Sequence, residues 1–319
     1  MARVDISNLF GAAGIKHSGF VDISGKMPQI EENPKEDWLY LSLIAFRKAE
    51  SLFGNSISSA AAIGSGNGVD AIAMLRTFKN LRRLQVTDIV PEILPKISQN
   101  IKKNSADIIE GREISYKPGR DCLPVEGKVD LIYANLPLMM ASGKSFGRLN
   151  SNVALADMGC YFGLSNGKED LLYRYSLLPQ LGFLLSAGDK LGKNGRVLTM
   201  VGGRLPGNAL DECFSRAGMK YEKFACAFKS HSDIAFLEEY ARHEAENGLS
   251  FEFYDYEKAR DRIREKIGVE PPAAMDKVNC TKMKPMISSA RINAAEALAL
   301  HRKGGKIGHI AYALLACKK

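Results

Sequence analysis

The chain has 319 residues, 45% hydrophobic and 25% charged, and a formal net charge of +8. That is ordinary for a soluble globular protein, with length for one large α/β domain with additions or for two domains. The longest apolar stretches, such as 310–317, fall far short of the roughly 20 residues that span a bilayer, which argues against a membrane protein.

Residues 1–5 show neither an apolar signal region nor a cleavage pattern, so a cytoplasmic location is expected. Six cysteines (Cys122, Cys160, Cys213, Cys226, Cys280, Cys317) lie far apart without a Cys-x-x-Cys pair and read as reduced thiols, mostly in the core. The five histidines include no pair at metal-ligand spacing, so no metal is expected. The positive charge is local: residues 258–319 hold 14 Lys/Arg against 5 Asp/Glu. Without interleaved aromatics this reads as a solvated helical face at least as well as a nucleic-acid footprint.

In chain order, 1–55 is mostly helical in character. Residues 37–53 carry Trp38, Leu39, Leu41, Leu43, Ile44, Phe46 and Leu52, a helix apolar over much of its surface. The preceding loop, 25–34, reads as a lid over the C-terminal edge of a sheet, where open α/β folds bind ligands. The short apolar run 60–63 is a buried strand, Gly64-Ser65-Gly66-Asn67-Gly68 a turn too tight for side chains, and 69–75 resumes at helical period. Such a loop brings backbone N–H groups at a helix start against a ligand. The next strand, 84–88, ends in Asp88, 24 residues after Gly64, where doubly wound folds place an acid that accepts from ribose hydroxyls. A helix at 91–104 follows. A third strand at 112–117 leads into a turn with Asp121 and Cys122. A fourth, 129–134, ends in Asn135-Leu136-Pro137-Leu138.

Beyond a Gly/Ser/Asn-rich stretch at 141–169, read as an active-site loop, the pattern gives a helix at 170–185 with Tyr173 and Tyr175 near its start. A fifth strand at 196–201 contains Thr199; a helix at 208–217 and a sixth strand at 221–228 follow. The best candidate for a last strand, 309–317, comes only after about 80 residues, far beyond a hairpin loop. The insertion between them carries helical patterns at 236–247, 256–267 and 287–301 and reads as a helical subdomain capping the pocket.

The glycine turn and Asp88 together resemble the first two motifs of the Rossmann-like (class I) S-adenosylmethionine (SAM) methyltransferases, over roughly 57–228 and again at 308–317. The resemblance implies an α/β sheet, mostly parallel with an antiparallel last strand. It divides the chain into a lid (1–55), a SAM-binding core (56–228), a helical insertion (229–307) and a last core strand (308–319). It implies SAM contacts from Gly64, Ser65, Gly66, Gly68, Asp88, Ile89, Asp121, Cys122 and Asn135, with Asp121 accepting from the adenine amino group. Asn135-Leu136-Pro137-Leu138 resembles the Asn-Pro-Pro-aromatic motif of enzymes methylating amide and exocyclic amino nitrogens. There the Asn side chain and the next backbone carbonyl orient the target nitrogen; Tyr173, Tyr175 and Thr199 complete the candidate catalytic set. Two departures are plain: Ala62 replaces the family acid near the methionine part of SAM, and Leu138 replaces the stacking aromatic.

The leading expectation is methyl transfer to a nitrogen, or second to it an oxygen, of a small metabolite in specialised metabolism. Alternatives are cyclisation of SAM by its own amine, as in azetidine-2-carboxylate synthases that release methylthioadenosine, nucleic-acid methylation, and a non-catalytic binding module.

Overall fold

The computed structural model describes residues 2–136, 158–231, 234–275 and 280–319. The amino-terminal segment is β1 (Ala2–Asp5), α1 (Ser7–Ala12), β2 (Phe20–Ile23) and α2 (Trp38–Phe53). Helix α2 begins where expected because Asp37 caps it, accepting from Leu39 N at 2.7 Å. Its Leu41, Leu43, Ala45, Phe46 and Ala49 are buried. The helical character expected of 1–55 is partly replaced: β1 and β2 pair antiparallel, with Val21 and Ile23 turned into the core. Strands of four residues are too short to leave a clear period in the sequence.

The core follows as β3 (Ser59–Ile63), α3 (Val69–Thr77), β4 (Arg83–Asp88), α4 (Leu94–Ser105), β5 (Glu113–Pro118) and β6 (Val129–Ala134). Then come α5 (Leu171–Arg174), α6 (Leu178–Lys190), β7 (Leu191–Gly202), α7 (Gly207–Arg216) and β8 (Met219–His231). The single helix expected over 170–185 is in fact two. Ser176 takes a left-handed φ of 59° between them, and Pro179, which cannot sit inside a helix, opens the second.

The insertion runs α8 (Ile234–Asn247), β9 (Phe253–Asp255), α9 (Tyr256–Ile267), β10 (Ala273–Met275), α10 (Met283–Met286), β11 (Arg291–Ile292) and α11 (Ala294–Arg302), and β12 (Ile307–Lys318) closes the chain. The helix expected from 287 starts only at Ala294, where Asn293 and Glu296 form a reciprocal capping box. The insertion also contains strands: β10 pairs with β8, β9 with the start of β12, and β11 with β9. It therefore extends the main sheet in addition to carrying helices.

The sheet order is β5-β4-β3-β6-β7-β12-β8-β10, parallel from β5 to β7, with β12 antiparallel to both neighbours. Counting core strands only, that is third-second-first-fourth-fifth-seventh-sixth, the order of the Rossmann-like methyltransferase sheet. Side chains alternate between two apolar layers. Ala61, Ile63, Ile132, Ala134, Val197 and Val201 face α5–α7 and the insertion, while Ala60, Ala62, Leu131, Tyr133, Leu198 and Met200 face α1–α4. Strands buried on both faces read as continuous apolar runs, which is why β3 and β6 were visible in the sequence. The connections leave β3 toward β4 and β6 toward β7, so strand order reverses between β3 and β6. Crevices for ligands open at such a switch point.

Candidate functional site

Ile63 of β3 lies opposite Ala134 of β6, and Ala134 opposite Thr199 of β7. Gly64 and Asn135, each the next residue, therefore leave adjacent strands at the same level of the C-terminal edge. A Cβ on Gly64 would stand 3.3 Å from Leu136 Cδ2, so the glycine loop and the head of β6 are in contact. Gly64, Gly66 and Gly68 all take positive φ (66°, 55° and 84°), and Gly68 caps α3 in the left-handed conformation.

Asp88 at the end of β4 is 4% exposed. Its Oδ2 accepts from Gly66 N and its Oδ1 from Val90 N, each at 2.9 Å. Burial raises its pKa, while the Val90 and Gly66 N–H groups oppose the rise. Each carboxylate oxygen has a further lone pair, so the carboxylate that fixes the loop can also accept from a diol. Ile89, the residue after β4, is 42% exposed, a large apolar side chain left open beside the C-terminal end of that strand.

Asp121 takes a left-handed φ of 53° and accepts from Tyr161 Oη at 2.8 Å; the Arg120 guanidinium lies 3.4 Å away. Burial raises its pKa against both partners. A neutral donor thus occupies the carboxylate expected to take an adenine amino group. The Cys122 N–H is spent within the fold on Ser186 Oγ at 3.1 Å.

The remaining candidates separate. Thr199 is fully buried and accepts from Gln180 Nε2 at 3.3 Å, one strand over from Asn135. Tyr175 packs edge-on against Phe251 of the insertion and donates to the Ser250 carbonyl at 3.5 Å, and Tyr173 lies 6.0 Å from the Phe162 ring. The structure ties these tyrosines to packing partners. Pro137, Leu138 and residues 139–157 lie outside the described residues.

Sequence reasoning missed several groups here. Asn100, fully buried on α4, donates to the Asn67 and Asp22 carbonyls and accepts from Asp22 N, stitching the glycine loop to β2. Segment 24–36 lies along the loop: Asn67 Nδ2 donates to the Pro28 carbonyl at 3.2 Å, and a Cβ on Gly66 would meet Pro28 Cγ at 2.6 Å. A Gly66→Val variant would therefore collide with Pro28. At the other end of the segment, Glu36 accepts from Ser230 N and Oγ. Beside it the buried Lys229 ammonium lies 5.0 Å over the Trp38 ring, its pKa lowered to about 8 by burial against the opposing charges of Asp37, Glu36 and Glu31.

Asp70 is the least expected. It is buried at the start of α3 and accepts from Ser65 Oγ at 2.5 Å and from Ala71 N at 2.7 Å. Burial pushes its carboxyl from 3.8 up to about 7, against those two donors, and the Asp88 charge adds to the rise. The fold thus holds this proton more tightly than the unfolded chain. The resulting stability is complete below about pH 4 and lost as pH rises through about 7. Asp70→Asn keeps an acceptor for Ser65 and Ala71 and removes the charge. It is expected to flatten this part of the stability profile and to raise the melting temperature at about pH 8 above that of the parent, read by calorimetry between about pH 4 and 8. Parallel profiles in the two proteins would contradict the assignment.

No protein-family model and no curated protein matches the chain. Solved structures do. The chain is similar to a ribosomal protein L11 methylase from Lactobacillus delbrueckii subsp. bulgaricus, at 16% identity and a TM-score of 0.38 over 58% of this chain and 70% of that one. It is similar also to a TehB-like SAM-dependent methyltransferase from Corynebacterium glutamicum, at 16% identity and 0.33 over 57% and 74%. A precorrin-6y C5,15-methyltransferase from Geobacter metallireducens matches at 12% identity and 0.36 over 67% and 87%.

Proposed function

We propose that the protein binds SAM in the crevice at the head of β3, β4 and β6 and transfers its methyl group to a nitrogen, or second to it an oxygen, of a small metabolite. The observation that carries this reading is the β3–β6 register, which sets Asn135 beside the glycine loop while Asp88 is bonded into that loop from the next strand. In this reading Asp88 takes the ribose hydroxyls, Asp121 releases Tyr161 to take the adenine amino group, and Ile89 covers the adenine ring. SAM supplies an electrophilic methyl on a sulfonium. The chain's part is then to orient a nucleophile, which the Asn135 side chain and the Leu136 carbonyl do by accepting its N–H bonds.

Segment 24–36 and the insertion close over the crevice in this reading, which suits a small metabolite of specialised metabolism better than a polymer. The charges of α9 point the same way. Arg260, Arg262 and Arg264 pair with Glu257, Glu265 and Asp261 on their own helix, leaving less free charge than a phosphate backbone needs.

Cyclisation of SAM by its own amine is the second reading, favoured by Ala62. That buried residue stands where a carboxylate would hold the amine as ammonium, and only the neutral amine is a nucleophile. Incubation with SAM alone, followed by mass spectrometry of the adenosine products, separates the two. Enzyme-dependent methylthioadenosine with azetidine-2-carboxylate supports cyclisation. Methyl transfer predicts S-adenosylhomocysteine only once an acceptor amine is added.

A further inference from the structure

We propose that the Tyr161 hydroxyl is a built-in competitor for the adenine amino group at Asp121, so that a donor of the chain itself sets how tightly the cofactor binds and which nucleobase can displace it. The inference rests on the reading of the crevice as a SAM site.

The turn that carries Asp121 leaves the sheet beside Asp88. Pro118, the last residue of β5, lies opposite Asp88, and Gly119 N donates to the Asp88 carbonyl at 2.9 Å. Within that turn the Asp121 side chain is only 8% exposed. What covers it is the chain itself. Its Oδ1 accepts from Tyr161 Oη at 2.8 Å, and the Arg120 guanidinium stands 3.4 Å from Oδ2 and 5.1 Å from the centre of the Tyr161 ring. An amino group that comes to Asp121 meets a carboxylate already supplied with a donor.

Tyr161 reaches this position from a short 3-10 helix, Met158–Leu164. Its neighbours Cys160, Phe162 and Gly163 are exposed, whereas Tyr161 itself is buried. Its ring lies against Gly182 of α6, where a Cβ would stand 2.5 Å from Tyr161 Cε1, so any larger residue at 182 would push the ring away. The hydroxyl is thus held at Asp121 by the seat of its ring as well as by the hydrogen bond.

A covered carboxylate is costly to leave without a donor. In the ligand-free chain Tyr161 supplies that donor, and in the complex the adenine amino group does. The hydrogen bond formed on binding is then offset by the one given up, and Tyr161 lowers the affinity by about the strength of its own bond. Removing the hydroxyl reverses both effects: the ligand-free chain becomes less stable and the complex tighter. A tyrosine that only supports the fold would instead weaken both.

Tyr161→Phe is expected to lower the melting temperature of the ligand-free protein and yet to bind S-adenosylhomocysteine about 5- to 10-fold more tightly than the parent, read by calorimetry. S-inosylhomocysteine, with a carbonyl oxygen in place of the amino group, brings no donor there and is expected to gain nothing. Gly182→Ala presses the ring from its seat without touching either polar partner and is expected to give a gain in the same direction. In an Asp121→Ala background the hydroxyl has nothing to compete for, and Tyr161→Phe is expected to change neither affinity. S-adenosylhomocysteine bound no more tightly by Tyr161→Phe than by the parent, or an equal gain for both nucleosides, would overturn the competition while leaving the SAM reading standing. Failure of the parent to bind SAM or S-adenosylhomocysteine would overturn the SAM reading, and this inference with it.

Discussion

Asp88→Ala is expected to weaken SAM binding by about 100-fold or more. Two charge-assisted hydrogen bonds from a diol, each worth about 1.5–3 kcal/mol, are lost together. The same substitution removes the acceptor of Gly66 N, so the glycine loop loses its tie to β4. Asp88→Asn separates the two effects: its single carbonyl still accepts from one donor, and an intermediate loss is expected. Titration calorimetry of SAM against the three proteins, with melting curves to show that each is folded, gives the comparison. If Asp88→Ala binds SAM as the parent does, the carboxylate serves only the loop.

The second large effect falls on turnover. Asn135→Ala is expected to slow SAM consumption about 100-fold or more, measured as release of the adenosine product, while SAM affinity changes by only a few-fold. The residue orients a nucleophile without carrying the cofactor's main contacts, and interactions made by the reacting atoms appear in the rate. Asn135→Asp keeps an acceptor in the same place, and its carboxylate would hold an amine as ammonium. It too is expected to be slow, through the proton the nucleophile retains. A parent-like rate in either variant would remove Asn135 from the chemistry.

The parts of this architecture that could be read in the sequence are those set by short-range pattern. The run from Ala60 through the three glycines to Leu75 declared a strand, a bare turn and a helix because apolar period and glycine spacing are local. Asp88 and Asn135 were legible as the residues ending buried strands. What stayed hidden depends on residues meeting across the fold. Tyr161 reaches Asp121 from 40 positions away, and Asn100 meets Asp22 from 78. Gln180 of α6 meets Thr199 of β7 across 19 positions. Asp70, within the helical period of 69–75, owes its proton affinity to burial beside Ser65 and Asp88. Strands β9 and β11, three and two residues long, have no period to detect; pairing with the sheet creates them.

The central claim is that the crevice at the head of β3, β4 and β6 is a SAM site. Its most direct test is titration of SAM into the purified protein by calorimetry, with the melting temperature followed at each concentration. The account predicts saturable binding of one SAM per chain and a melting temperature that climbs with SAM, since a ligand bound only to the native state must stabilise it. No heat of binding and an unmoved melting temperature at millimolar SAM would contradict it.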